Sequence, residues 1–257
     1  MAPPSDYWRE FWICCLCGGT NTYDYAAERA EWVPAPNCRE NCRCSQCGCT
    51  WRDRAIGLGV LHGLSSVSGP LSSRSRDDSI RGLGVGDSSA LAASLARAFD
   101  YTNTHINSFP GLDISHVPEP LAGQFAFVTC SDVLEHVLPP VDSAVSGLAS
   151  LLSRTGFAVI SVPVNHPAFK EHYPGLVEWR EVDGRILWVD DRSVERTDES
   201  PAFHGGTGHT LELRQWTEET IENALLESGF SRVEPLPAVS SIGVPRIRDM
   251  GCWLAYR

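Results

Sequence analysis

No apolar run in the sequence approaches the roughly 18 consecutive residues that a membrane-spanning helix needs, and the N-terminal stretch MAPPSDYWREFW lacks a basic region followed by an apolar one. Both absences point to a cytoplasmic protein with no membrane partner. Basic residues are also scarce, since 21 Lys and Arg face 32 Asp and Glu for a net charge of −11. Duplex binding relies on cations that neutralise phosphates, so nucleic acid is not expected as the main partner. The densest basic group, Arg39, Arg43, Arg52 and Arg54, lies inside a cysteine-rich segment. There is no internal repeat.

Of the ten cysteines, all but Cys130 and Cys252 fall within residues 14–49, which marks off an N-terminal module. Residues 62–79 (HGLSSVSGPLSSRSRDDS) have the Ser- and Gly-rich composition of a flexible connection. The expected organisation is a cysteine-rich module over 1–61, a linker over 62–78 and a larger α/β domain over 79–257.

Cys14–Gly18 and Cys44–Gly48 each contain a C-x-x-C-G knuckle. Two such knuckles present four thiolates tetrahedrally, and the glycines let backbone amides turn toward sulfur, which suits zinc. Disulfides belong to secreted chains, and a redox C-x-x-C normally follows a strand in an α/β fold. Cys14, Cys17, Cys44 and Cys47 are the expected ligands, although Cys15, Cys38, Cys42 and Cys49 lie close by. Four thiolates close the coordination sphere, so such a zinc is structural.

Beyond the linker, short apolar runs alternate with helical patterns, which predicts a parallel-sheet α/β fold. Strands are expected at 79–85, 124–130, 157–162, 231–236 and 252–256. Leu91, Leu95 and Phe99 share one helix face. A second helix opens at Pro139 and Pro140, carries Val141, Ala144, Leu148, Leu151 and Leu152, and is expected to end at Gly156. Thr217 caps a third helix, with Glu218 and Glu219 in its first turn and Gly229 at its close. Residues 164–210 show few regular signals, and their Tyr173, Trp179 and Trp188 are candidates for flat apolar walls around an acceptor.

The segment Ile80–Ser88 ends a strand in glycines and opens a helix, a setting in which a ligand approaches the backbone closely. GLGVGD, GLDI, SDVLEHV and LLSRTGFAVISVP follow in that order. This order resembles class I S-adenosylmethionine-dependent methyltransferases over most of residues 79–257. The N-terminal knuckles with Arg52-Asp53-Arg54-Ala55 look like a zinc-bearing branch of them. The resemblance implies a Rossmann-like, mostly parallel seven-stranded sheet flanked by helices, with S-adenosylmethionine and a structural zinc as cofactors. It implies cofactor contacts at Gly84, Gly86, Asp113, Ser131 and Asp132. Two positions depart from the pattern, Gly82 where an acid is usual and Ser88 where a third glycine is usual, and Asp87 is the candidate to compensate. Asn103 is a candidate for the ribose hydroxyls, with Asp100 competing. A nicotinamide enzyme would need glycine in place of Ser89.

Methyl transfer is an in-line displacement at a sulfonium, so the enzyme aligns the acceptor and, where needed, removes a proton. His136 and His166 follow strands whose carboxyl ends face a ligand crevice, and a neutral imidazole accepts a proton near pH 7. His204 stands in a glycine-rich stretch suited to a closing loop, and is a third candidate base. Asp132, Glu135 and His136 also form D-x-x-E-H, similar to the E-x-x-E-H with which some quinone-precursor O-methyltransferases hold a divalent cation. The expected reaction is methylation of an oxygen or nitrogen on a small-molecule acceptor. The rival readings are an RNA or protein methyltransferase that docks through the zinc module, and a binding module without catalysis.

Overall fold

The computed structural model describes residues 9–24, 42–65, 69–164, 167–204, 210–237 and 250–257. Strands β1 (Arg9–Ile13) and β2 (Thr20–Asp24) form an antiparallel hairpin whose connection is the first cysteine knuckle. The second knuckle leads into helix α1 (Trp51–Gly63). Thr50 and Asp53 cap it reciprocally: the Asp53 amide donates to the Thr50 hydroxyl and the Thr50 amide to the Asp53 carboxylate. The segment expected to be a flexible connection is tied back in its described part. The Leu71 and Ser72 amides donate to the Cys15 and Leu16 carbonyls at 2.8 Å, and Leu71 is buried.

The α/β unit continues through β3 (Asp77–Val85), α2 (Ser89–Ala98), β4 (Phe99–Thr104), β5 (Phe125–Ser131), α3 (Val141–Leu151) and β6 (Leu152–Pro163). Two boundaries differ from the sequence reading. Phe99 leaves the helix to start β4 and pack edge-to-face on Phe127. Leu152 already pairs with Phe125, so α3 ends at Leu151 and Gly156 lies inside β6 rather than closing the helix.

The segment after β6, an insertion within the α/β unit, is more regular than its sequence suggests. It contains β7 (Lys170–Glu171), β8 (Leu176–Val182), β9 (Arg185–Asp190), β10 (Glu195–Asp198), β11 (Phe203–His204), β12 (Thr210–Leu211) and β13 (Arg214–Gln215). Strands β8 to β10 form an antiparallel sheet, and β7 pairs with β13. Tyr173 and Trp188 are buried with Leu176, Ile186, Leu211 and Leu213 in a small core of their own. They are therefore packing residues and not pocket walls, and only Trp179 keeps an exposed face.

The chain closes with α4 (Glu218–Glu227), β14 (Arg232–Pro235) and β15 (Met250–Tyr256). The main sheet has the order β14-β15-β6-β5-β3-β4, with β4, β3, β5 and β6 parallel and β15 paired antiparallel to both β6 and β14. It has six strands among the described residues, one fewer than expected, because GLDI runs as a loop beside β4 with only a bridge between His105 and Gly111. Helices α1 and α2 cover one face, α3 and α4 the other. The face under α1 shares one buried cluster with the knuckles, from Cys14 and Trp51 to Phe127 and Phe157. No helix among the described residues is long and apolar enough to cross a membrane.

Both faces of β5 and β6 are covered, which explains their uninterrupted apolar runs. Between β4 and β5, strand β3 offers glycine at 82 and 84, and the rings of Tyr101 and Phe127 stack over it with centroids 5.9 Å apart. A Cβ at Gly82 would stand 2.2 Å from Phe127, and one at Gly84 2.0 Å from the Tyr101 hydroxyl. Gly84→Ala should therefore lower folding stability by about 1–3 kcal/mol, the usual cost of overpacking. Denaturant unfolding with an unchanged slope checks this, and an unaltered midpoint would remove the packing role.

Candidate functional site

The strand order reverses at β3, whose neighbours β4 and β5 lie on opposite sides. Loops leaving the carboxyl ends of such strands diverge and open a crevice. A cavity of about 720 Å³ occupies that place, within the usual range for small-molecule sites. Of the residues expected to hold a cofactor, Gly86, Asp113, Ser131 and Asp132 line it, as does His136. Ile106, Leu112, Ile114 and Leu138 give it apolar walls. Gly86 has φ +77°, so glycine supplies the left-handed turn that ends β3. Asp113 sits on the opposite loop, its carboxylate accepting from the Ser115 amide at 2.8 Å and from His116 at 3.0 Å.

Gly84, Asp87 and Asn103 do not line the cavity. Asp87 is buried behind it, where Tyr101 and Thr129 donate to the same carboxylate oxygen. Burial pushes its carboxyl up to about 6, against the pull of those two hydroxyls. Asn103 brackets Asp87 by donating to its carbonyl at 2.9 Å and accepting from its amide at 3.2 Å. Both residues thus shape the loop from behind. His105, just past the end of β4, lines the cavity instead, and no spacing or motif in the sequence singled it out. His166 lies outside the described residues.

Asp132 joins the cavity to the cysteine module. With φ +52°, it accepts from Ser161 at 2.9 Å and pairs with Arg52 of α1 at 2.6 Å. The next residue of α1, Asp53, accepts from the Ser88 hydroxyl at 2.9 Å, while Ser88 caps α2 by accepting from the Leu91 amide. Arg54 is buried and donates to the Cys42 and Cys49 carbonyls, each at 2.8 Å, with its guanidinium 4.1 Å from the Trp12 ring centroid. The three residues Arg52-Asp53-Arg54 therefore fasten the second knuckle, the glycine-loop helix and the cavity floor to one another.

In the module, the sulfurs of Cys14, Cys17, Cys44 and Cys47 all lie within 4.8 Å of one another. Cys14 stands 3.8 Å from Cys47 and Cys17 3.5 Å from Cys44. Sulfurs bound tetrahedrally at about 2.3 Å from zinc stand about 3.8 Å apart, so this set fits the ion. The two knuckles repeat one geometry. The Gly18 and Gly48 amides donate to the Cys14 and Cys44 carbonyls, with positive φ at both glycines. The Gly19 amide and the Asn21 side chain donate to the Cys17 and Cys44 sulfurs. Although burial raises the Cys44 thiol, amide donors at Cys47 and Gln46 together with Asn21 bring it down to about 6, which favours the thiolate. Cys15, Cys42 and Cys49 are buried in the adjoining core. Cys38 lies outside the described residues.

Beside the cavity, Glu135 and His136 form a short turn after β5, held by the returning insertion. The Leu213 amide donates to the Glu135 carbonyl at 2.8 Å, and buried Arg214 donates to the Leu134 carbonyl while pairing with Glu171. His136 Nδ1 lies 2.8 Å from the Leu211 carbonyl. The His204 ring, which the sequence placed in a mobile loop, is packed edge-on to His136 with centroids 4.7 Å apart, and its Nε2 lies 2.7 Å from Glu212. Burial lowers His136 below the usual histidine value. Residues 205–209 of that glycine-rich stretch lie outside the described residues.

No protein-family model matches the chain, and no curated protein matches its sequence. Among solved structures it is similar to the 1,6-didemethyltoxoflavin-N1-methyltransferase of Burkholderia thailandensis, at 14% identity over 80% of this chain and 78% of that one, with a TM-score of 0.47. It is also similar to CalS10, an amino pentose methyltransferase from Micromonospora echinaspora, at 16% identity over 82% and 92%, with a TM-score of 0.46. DesVI of Streptomyces venezuelae is 15% identical over 80% and 91%, with a TM-score of 0.45.

Replacing one sulfur tests the cysteine cluster. Cys44→Ser should lose the zinc that elemental analysis is expected to find at about one per chain. A loss of about 3 kcal/mol would lower the melting temperature by roughly 6–12 °C. Wild-type protein that is folded yet metal-free would contradict the assignment.

Proposed function

We propose that the chain transfers a methyl group from S-adenosylmethionine to an oxygen or nitrogen of a small-molecule acceptor, with the four-cysteine zinc as a structural element. The observation that carries this reading is the cavity at the carboxyl ends of β3 and β5, with Gly86 and Ser131 at its strand side, Asp113 across it and His136 at its edge. S-adenosylmethionine supplies an electrophilic methyl on a sulfonium. The residues present fit that group: a glycine turn permits close approach to the backbone, an acidic side chain faces it, and Leu112 and Ile114 provide an apolar wall for a flat ring. Asp132, held by Arg52 and Ser161, keeps the loop after β5 in one conformation.

The acceptor is proposed to lie between His136 and Thr210, which bound the same cavity. Because the Leu211 carbonyl can only accept, His136 Nδ1 carries the hydrogen and its Nε2 carries the lone pair in the neutral ring. Nε2 is thus suited to take a proton from an acceptor hydroxyl or amine. The net charge of −11 and the concave, largely apolar site favour a small acceptor over a nucleic acid.

Two measurements test this reading. S-adenosylhomocysteine should raise the melting temperature while NAD should not, and preferential stabilisation by NAD would overturn the cofactor. Labelled S-adenosylmethionine incubated with the protein and a small-molecule extract should yield a labelled product identified by mass. With that acceptor, the rate should rise with pH through a midpoint below the usual histidine value and level off above it. His136→Ala should cost at least about tenfold in kcat and lose that limb, whereas an unchanged profile would remove the proposed base.

A further inference from the structure

We propose that Glu135, His136 and His204 form a second metal site, one that binds a divalent transition ion through two imidazoles and a carboxylate at the edge of the cavity. Glu135 is 1% exposed, and neither of its carboxylate oxygens has a hydrogen-bond partner. Its Oε1 lies 3.8 Å from His136 Nε2 and 3.9 Å from His204 Nδ1. Those separations exceed the 2.7–3.2 Å of an N–H···O bond. They lie a few tenths of an ångström above the about 3.4 Å between two ligand atoms tetrahedrally bound at about 2.1 Å to a common ion.

The outer contacts settle which atoms face inward. His136 Nδ1 must donate to the Leu211 carbonyl, and His204 Nε2 donates to Glu212 at 2.7 Å. In the neutral rings both remaining nitrogens, Nε2 of His136 and Nδ1 of His204, therefore present lone pairs toward Glu135. Three acceptors converge with no donor among them, and a buried cation answers all three. Metal-bound imidazoles commonly donate their other N–H to a carboxylate or a backbone carbonyl, and both arrangements are present here. Glu212 is itself held in place by hydrogen-bond contacts with His172, His204 and Gln215. Asp132, which sequence spacing groups with Glu135 and His136, is taken up by Arg52 and Ser161 and is not a ligand.

Two imidazoles and one carboxylate leave coordination positions open, unlike the four thiolates of the module. Since His136 lines the cavity, an acceptor oxygen could complete the sphere, with its proton released to solvent as the metal–oxygen bond forms. The site then favours acceptors that offer a hydroxyl or carboxylate oxygen. This rests on the methyl-transfer reading and changes its acceptor side: with the ion bound, His136 Nε2 is a ligand and the metal activates the acceptor, whereas without the second ion the same nitrogen is the base.

The test is calorimetric titration of tag-free full-length protein, already carrying its cysteine-bound zinc, with Zn²⁺ alone. One further ion per chain should bind. Glu135→Gln and His204→Ala should each abolish that event while leaving the S-adenosylhomocysteine affinity measured on the same samples unchanged. Glu212→Gln, which keeps all three ligands, should weaken zinc binding about 10–100-fold and covers the case in which a ligand variant fails to fold. No further ion bound by wild type, or binding indifferent to all three substitutions, overturns the site. Zinc uptake is read without cofactor or acceptor, so its failure leaves the methyl-transfer reading standing, and the reverse also holds.

Discussion

The ion pair between Arg52 and Asp132 bridges 80 positions of sequence and joins two parts of the chain that composition alone would separate. Arg52 stands at the start of α1, directly after the second cysteine knuckle, and Asp132 stands at the floor of the cavity. Beside it, Asp53 receives the Ser88 hydroxyl and Arg54 clamps the knuckle carbonyls. A displacement of the knuckles would therefore be felt at three points: the cap of α1, the cap of α2 and the turn after β5. This is a physical reason for the four-sulfur cluster to stand next to the cavity. It fixes the first turn of a helix whose side chains hold the cavity floor.

The same connection accounts for the two departures from the methyltransferase pattern. Position 82 must be glycine because Phe127 lies over it, and the aromatic layer from Tyr101 through Phe127 to Phe157 fills the space between β3 and the helices above. Position 88 is serine because that hydroxyl caps α2 and donates to Asp53, two functions that a glycine cannot perform. Asp87, buried against Tyr101 and Thr129, belongs to the same packing. The irregular glycine loop is thus a consequence of how the module and the sheet share one core.

Much of this architecture was legible in the residues. The alternation of short apolar runs with helical patterns predicted a parallel α/β sheet, and the paired knuckles predicted a cluster of four sulfurs. What was not legible depended on contacts between distant segments. Asn103 looked like a ligand residue, yet its amide is satisfied by the Asp87 backbone, a pairing that arises only when β3 and β4 lie side by side. His204 read as part of a mobile stretch because glycines surround it, while Glu212 and the His136 ring give it a fixed place. Tyr173 and Trp188 read as pocket walls because local sequence cannot say which aromatic side chains the rest of the segment packs over. Gly156 read as a helix stop, but pairing with β5 draws the chain into a strand first.

We propose that the cavity at the carboxyl edge of β3 and β5 holds the methyl donor with its sulfur toward His136. A crystal structure of the protein with S-adenosylhomocysteine tests it directly. Density is expected within that cavity, in contact with Gly86 and Asp113 and with the thioether on the His136 side. Density elsewhere on the chain, or a cavity that stays empty at saturating ligand, would contradict it.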